Sequence, residues 1–263
     1  MSVNSYLTDL ASALVLSSGE NSSISTSIAT LSARLSLYFG SDIDSDFKFG
    51  SSTRGTILPR QADERSDIDY MVVFENGSPE FRPQTYLNRL KNFAQARYST
   101  SEINQSHPTI VLSLNHIKFE LVPALEDYWA GYKIPSPASD WSDWMNTNPN
   151  GFNTKLSDAN GNNNFKIKPL VRLIKYWNAK NGYPFRSFEL EDYICNQVFW
   201  GCSSLKDYFY HFWEYFSWPY SLSLLTQGRI GTVQRRIETA KANEAAGYPY
   251  TAQQEIEKIV PSF

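Results

Sequence analysis

The stretch from Phe49 to Phe74 constrains this chain more than any other. Gly50-Ser51 and Gly55-Thr56 bracket a short turn. After a polar loop, Asp67-Ile68-Asp69 opens the apolar run Tyr70-Met71-Val72-Val73-Phe74, which Asn76-Gly77 ends. That pattern predicts a buried strand over 67–74. Side chains alternate across a strand, so Asp67 and Asp69 share one side and Ile68 and Tyr70 the other. Two carboxylates a few ångströms apart repel one another unless cations stand between them. Taken alone, Asp-x-Asp reads better as polar residues capping a strand end beside a turn. The glycines shift the balance toward chemistry. Gly50 permits positive φ or close approach, Ser51 supplies a hydroxyl and an N–H, and Gly55 frees the backbone before Thr56. A turn of this composition presents donors to phosphate oxygens, and the adjoining carboxylates suit the metal ions that accompany a triphosphate.

A two-metal site calls for a third carboxylate on a neighbouring strand. In Ile117-Lys118-Phe119-Glu120-Leu121-Val122-Pro123 the only acid is Glu120, inside an otherwise apolar run. An acid there is costly to bury unless paired or metal-bound; the alternative is a solvent-facing Glu on an edge strand. Further on, Lys168, Arg172 and Lys175 recur at spacings of four and three opposite an apolar helix face. They read as a solvated basic stripe, or as a source of one side chain, Lys175, that reaches phosphate. Ser187 begins the next helix with Glu189 and Glu191 in its first turn. Helix capping accounts for it, although a helix start with a hydroxyl also holds phosphate.

The remaining periodicity predicts an α+β chain. Ile24, Ile28, Leu31, Leu35 and Tyr38 mark an amphipathic helix over 22–39 that Gly40 stops. Phe47–Phe49 is extended, and a helix follows over 85–98. Two strands, Thr109–Leu114 and Ile117–Val122, meet at Asn115-His116, with Pro123 closing the second. Residues 131–164, rich in Ser, Asp, Asn and Pro, read as a long surface connection. Beyond 165 the pattern is helical. Ile167, Leu170, Val171 and Ile174 form one face, with Pro169 near the helix start. Helices over 188–200, 203–217, 230–245 and 251–260 complete the chain. The broad stripe of Leu205, Tyr208, Phe209, Phe212, Trp213 and Phe216 fits a packed core better than a base-stacking surface. The expected division is a mixed lobe over 1–155 and a helical lobe over 156–263.

With 263 residues and 41% hydrophobic content, the chain can build a sizeable core. A net charge of -3 argues against a long duplex as a permanent partner. Cys195 and Cys202, seven apart on an expected helix, would lie roughly 10 Å apart, beyond disulfide reach. Both are expected as reduced core residues of a cytoplasmic protein. His107, His116 and His211 show no ligand spacing with them, so no zinc site is expected. The N-terminal residues carry no positive charge ahead of an apolar stretch, unlike a secretory signal. No apolar run approaches the roughly 18 residues of a membrane span.

Together these residues resemble the DNA polymerase β-like nucleotidyltransferases. More closely, they resemble the bacterial cGAS/DncV-like nucleotidyltransferases (CD-NTases) of anti-phage CBASS systems, which make cyclic oligonucleotide second messengers. Phe49-Gly50-Ser51 through Gly55-Thr56 matches the Gly-Ser motif. Ser66-Asp67-Ile68-Asp69 matches the first two metal ligands, and Phe119-Glu120-Leu121-Val122-Pro123-Ala124 the strand of the third. Thr147-Asn148-Pro149, Val171–Trp177, Arg186–Leu190 and the ending Ile256–Pro261 resemble later blocks. The resemblance implies a polymerase β-like nucleotidyltransferase lobe with a small mixed sheet, packed on a C-terminal helical lobe. It implies metal binding by Asp67, Asp69 and Glu120, with Mg²⁺ or Mn²⁺ as cofactor. Gly50, Ser51, Lys175 and Ser187 would meet the donor triphosphate, Phe188 would stack on a base, and Thr147–Asn148 would read base edges. Glu120 stands where the family usually has aspartate. The zinc insertion of the animal DNA sensor is missing, so no stable DNA partner is expected. An ending in Phe263 rather than glycine speaks against covalent conjugation there.

The resulting expectation is a Mg²⁺-dependent enzyme that joins nucleoside triphosphates into a cyclic di- or oligonucleotide, releases pyrophosphate and signals to a downstream effector. A nucleotidyltransferase acting on a protein or RNA acceptor, or a non-catalytic nucleotide-binding module, would share many of these residues.

Overall fold

The structure, a computed structural model, describes residues 2–77, 80–106, 108–129, 131–136 and 143–263. Its contacts divide the chain into a sheet unit, Ser17–Ile57 with Arg65–Thr154, and a helical unit of residues 1–16, 58–64 and 155–263. The division expected at 155/156 is therefore not a single cut. The first helix, α1 (Val3–Ala13), groups with the helical unit because Val3, Tyr6, Leu7, Leu10 and Ala11 are buried at helical spacing.

In the sheet unit, α2 (Ser18–Phe39) starts at a capping box between Ser17 and Glu20, four residues before the expected start. It ends at Gly40, whose φ of 57° suits glycine. Then come β1 (Ile43–Lys48), the single turn α3 (Ser51–Arg54), β2 (Ile68–Phe74), α4 (Pro83–Arg97), β3 (Glu102–Ser106), β4 (Thr109–Ser113), β5 (Lys118–Asp127), β6 (Gly131–Pro135) and β7 (Trp144–Thr147). The sheet order is β1-β2-β5-β4-β3, with β6 on the end of β5 and β7 on β6. Among the described residues, only the β2–β5 pair is parallel.

Strand alternation separates the two faces. Ile68, Tyr70, Val72 and Phe74 are buried on one face, where the Phe74 ring meets Phe39 of α2 at 5.2 Å and Tyr86 of α4 at 5.0 Å. Met71, Val73 and Ala124 lie on the other, covered by Phe47, Phe49, Tyr132 and Ile134. Asp69 and Glu120 belong to this second face, beyond the edge of its apolar cover.

Two sequence expectations fail here. Pro123 does not close its strand: β5 continues to Asp127, with Pro123 opposite Val72 of β2. It falls where β5 has left β4 and not yet met β6, so on that side its missing N–H faces no partner strand. Residues 131–164 are no plain connection, for they carry β6, β7 and α5 (Gly151–Asn162); residues 137–142 lie outside the described set. Short strands held by distant partners carry little periodic signal of their own. The same reason hid β3.

The helical unit continues with α6 (Ile167–Lys180), α7 (Ser187–Cys195), α8 (Leu205–Glu214), α9 (Leu224–Ala245) and α10 (Pro249–Glu257). Ile167, Leu170, Val171 and Ile174 are buried, as their spacing predicts. The α8 stripe is core: Tyr208, Phe209, Phe212 and Trp213 are buried, and Trp177 meets Trp213 edge-on at 4.6 Å. Cys195 ends α7 while Cys202 lies in the segment before α8, so the separation reckoned along one helix does not apply. Neither cysteine is in a disulfide, and both are half-buried. His116 Nε2 lies 2.9 Å from Ser27 Oγ, and His107 is outside the described residues. No helix among the described residues is long and apolar enough to cross a membrane.

Candidate active site

The site is built on the parallel pair β2–β5, where Asp69 stands directly opposite Glu120. Paired residues of a parallel ladder share a face, so these two carboxylates project side by side. Asp67, two residues before Asp69, joins them, and Lys118, two before Glu120, brings its Nζ to 3.9 Å from Asp67 Oδ2. Asp67 and Lys118 keep about a quarter of their side-chain surface exposed, at 26% and 24%. Burial pushes the Glu120 carboxyl above its ordinary range. A hydrogen bond with Asp67 pulls it back, the negative charge of Asp69 pushes it up again, and Lys118 lowers it. Lys118 is thus a base held among Asp67, Asp69 and Glu120. Lys118 is the member that motif reading missed, although strand alternation from Glu120 would have placed it here.

The turn beside it is clamped to Asp69 twice. Phe49 N donates to Asp69 O at 2.9 Å. Gly50, with φ of 69°, passes so close that an added Cβ would lie 1.9 Å from Asp69 Oδ2. Positive φ and this proximity both demand glycine. Gly55, with φ of 70°, closes the single turn, and Ser51 O accepts from Thr56 N and Ile57 N, both at 3.2 Å. The hydroxyls of Ser52 and Thr53 donate to Phe49 O and Gly50 O at 3.0 and 2.8 Å. Ser51 is the hydroxyl of the three not committed in this way. Asn148 Oδ1 accepts from Gly151 N at 2.9 Å, so a side chain of the segment expected to read base edges fastens the start of α5.

Lys175, Ser187 and Phe188 lie in the helical unit. The basic stripe of α6 is not solvated. Arg172 Nε donates to Ala11 O at 3.1 Å, and burial lowers its pKa. Lys175 Nζ lies 3.0 Å from Glu191 Oε1, both side chains being almost wholly buried. Ser187 does not cap α7. Arg186 holds the N-cap position without a side-chain cap bond, and Ser187 and Phe188 are exposed.

The carboxylates fit a hard divalent cation in donor type and in sharing one face. The backbone cradle at Gly50, open only because no Cβ fills it, places the Asp69 carboxylate against the turn. Among the described residues no three His, Cys, Asp or Glu side chains already form a metal-holding group.

A glycine-serine turn clamped on an Asp-x-Asp strand head, with a third acid in register on the parallel neighbour, defines the nucleotidyltransferase class. Residues 1–160 match the Second Messenger Oligonucleotide or Dinucleotide Synthetase (SMODS) domain, and the chain belongs to that family. It is 27% identical over 225 residues to a probable cyclic nucleotide synthase of Bacillus cereus (strain VD146), covering 78% of this chain and 67% of that protein. It is also 26% identical over 118 residues to the cyclic AMP-AMP-AMP synthase of Acinetobacter sp. (strain ATCC 27244 / 9458), covering 45% of this chain and 33% of that protein. The match thus spans about a third of the Acinetobacter protein's length. The fold is that of the E. coli MS115-1 CdnC structure with ATP, at a TM-score of 0.72 and 14% identity over 98% of both chains.

Proposed function

We propose that this protein is a divalent-metal-dependent nucleotidyltransferase that joins nucleoside triphosphates into a cyclic di- or oligonucleotide second messenger. The observation that carries the proposal is the placement of Asp69 against the Gly50 backbone and in register with Glu120. Asp67, Asp69 and Glu120 would hold Mg²⁺ or Mn²⁺, which supplies charge stabilisation on the phosphates and acidifies an attacking ribose hydroxyl. The Gly50–Ser51 turn orients the donor triphosphate, with the Ser51 hydroxyl donating to a phosphate oxygen. The ribose oxygen attacks the α-phosphorus in line, and pyrophosphate leaves. A second transfer in the opposite sense closes the ring. Little covalent chemistry falls to the side chains, so their task is positioning and charge.

In the helical unit the exposed Ser187 and Phe188 are assigned to a phosphate and a base. Lys175 joins the phosphate contacts only by leaving Glu191. Family membership supports a second-messenger product; that it acts through a downstream effector in anti-phage defence is part of the proposal. Incubation with each nucleoside triphosphate and Mg²⁺ or Mn²⁺, followed by mass spectrometry, tests the proposal. Cyclic oligonucleotides are expected, and Asp69→Ala should abolish them, a loss of at least about a thousandfold. Label appearing instead on added protein or RNA would overturn the second-messenger product. Turnover that survives in Asp69→Ala would overturn the site.

A further inference from the structure

On the acid face of β2 and β5, Lys118 is a base set beside the carboxylates, 3.9 Å from Asp67 and one alternation step from Glu120. A partly exposed pair at that separation adds only about 0–1 kcal/mol to stability, so the fold has little need of it. Its charge matters more to a third party. An ammonium is a compact positive charge on a flexible stem with three donors. It repels a dication approaching the same carboxylates, and it is free to swing toward a phosphate oxygen once such a partner arrives.

We propose that Lys118 is a positioning residue that acts as the resident counter-ion of Asp67 and Glu120. It weakens binding of a bare divalent cation and makes cation binding depend on the triphosphate that Lys118 then meets. This inference rests on the assignment of Asp67, Asp69 and Glu120 to metal binding. It adds a selection step: the face that holds the metal is tuned against the metal alone and in favour of the metal with nucleotide. By linkage, whatever the ammonium subtracts from cation affinity in the empty protein returns as positive coupling with the nucleotide.

The test is Mn²⁺ binding by calorimetry at about pH 8, where carboxylates are ordinarily ionised. Wild type, Lys118→Gln and Lys118→Arg are compared with and without a non-hydrolysable nucleoside triphosphate. Without nucleotide, Lys118→Gln should bind Mn²⁺ about five- to tenfold more tightly than wild type, and Lys118→Arg should match wild type. The difference should shrink as salt is raised, since exposed charges are screened. With nucleotide present, the advantage of Lys118→Gln should vanish or reverse. Melting temperatures in chelator should agree closely, showing that the variants fold. Unchanged or weaker Mn²⁺ binding by Lys118→Gln, with wild-type binding that Asp69→Asn removes, overturns the role of Lys118 and leaves the metal assignment standing. No Mn²⁺ binding by any of these proteins, with or without nucleotide, overturns the metal assignment and this inference together.

Discussion

Two lysine–carboxylate pairs in this protein have opposite meanings. In the sheet unit, Lys118 and Asp67 stand 3.9 Å apart, a quarter exposed, beside Glu120 and Asp69. In the helical unit, Lys175 and Glu191 meet at 3.0 Å, with 6% and 0% of their side chains exposed. The first pair is loose and open to solvent. The second is closely paired and sealed, and its ordinary effect is to tie α7 to α6. Separation and exposure, rather than residue type, distinguish the candidate site from a structural tie.

The sharpest way to break this contrast is Glu191→Ala. It takes the counter-charge of the pair away from a buried ammonium and should cost about 3–5 kcal/mol in urea unfolding. Asp67→Asn in the open group should cost under about 1 kcal/mol by the same measurement. Equal losses at both positions would erase the distinction.

Gly50→Ala comes next. Its Cβ would meet Asp69 Oδ2 at 1.9 Å at a φ of 69°, so a loss of about 1–3 kcal/mol is expected. Asp69→Ala should relieve the clash but not the backbone strain. A double-mutant cycle should therefore show clear coupling between positions 50 and 69, and no coupling would mean that the turn does not rest on Asp69.

The smallest effect concerns Glu120. Its carboxyl titrates above the ordinary range in the folded chain, chiefly because of burial. The folded state therefore binds this proton more tightly than the unfolded state. The resulting penalty is absent below the unfolded pKa, grows as pH rises through the folded value, and persists above it. Glu120→Gln should accordingly raise the melting temperature in chelator at neutral pH and leave it unchanged at about pH 3, below the ordinary glutamate pKa. A stabilisation of equal size at both pH values would show that the penalty does not come from ionisation.

Much of the site could be read from local pattern. Asp67, Asp69 and the run to Phe74 identify a strand with acids on one side, and Gly50 announces a turn that needs glycine. Lys118 was accessible by the same alternation once Glu120 had been singled out. Ser187 misled because a Ser ahead of two acids has the composition of a cap, yet the chain enters α7 one residue earlier, at Arg186. The basic stripe on α6 misled for a different reason. Helical spacing places Lys175 opposite the apolar residues, but a neighbouring helix brings Glu191 over that side and buries both.

The sequence by itself determined the alternation of β2 and β5, the glycine turn and the apolar faces of α2, α6 and α8. All of these follow from periods of two or 3.6 residues and from backbone freedom at Gly50. Only the tertiary structure decided that Asp69 and Glu120 are neighbours, because parallel pairing joins residues 51 positions apart in the chain. It alone decided that β5 runs through Pro123, that β6 and β7 extend the sheet, and that Lys175 is sealed while Lys118 is not. Those outcomes depend on which distant segments supply hydrogen bonds, charge and cover, and no local period encodes that choice.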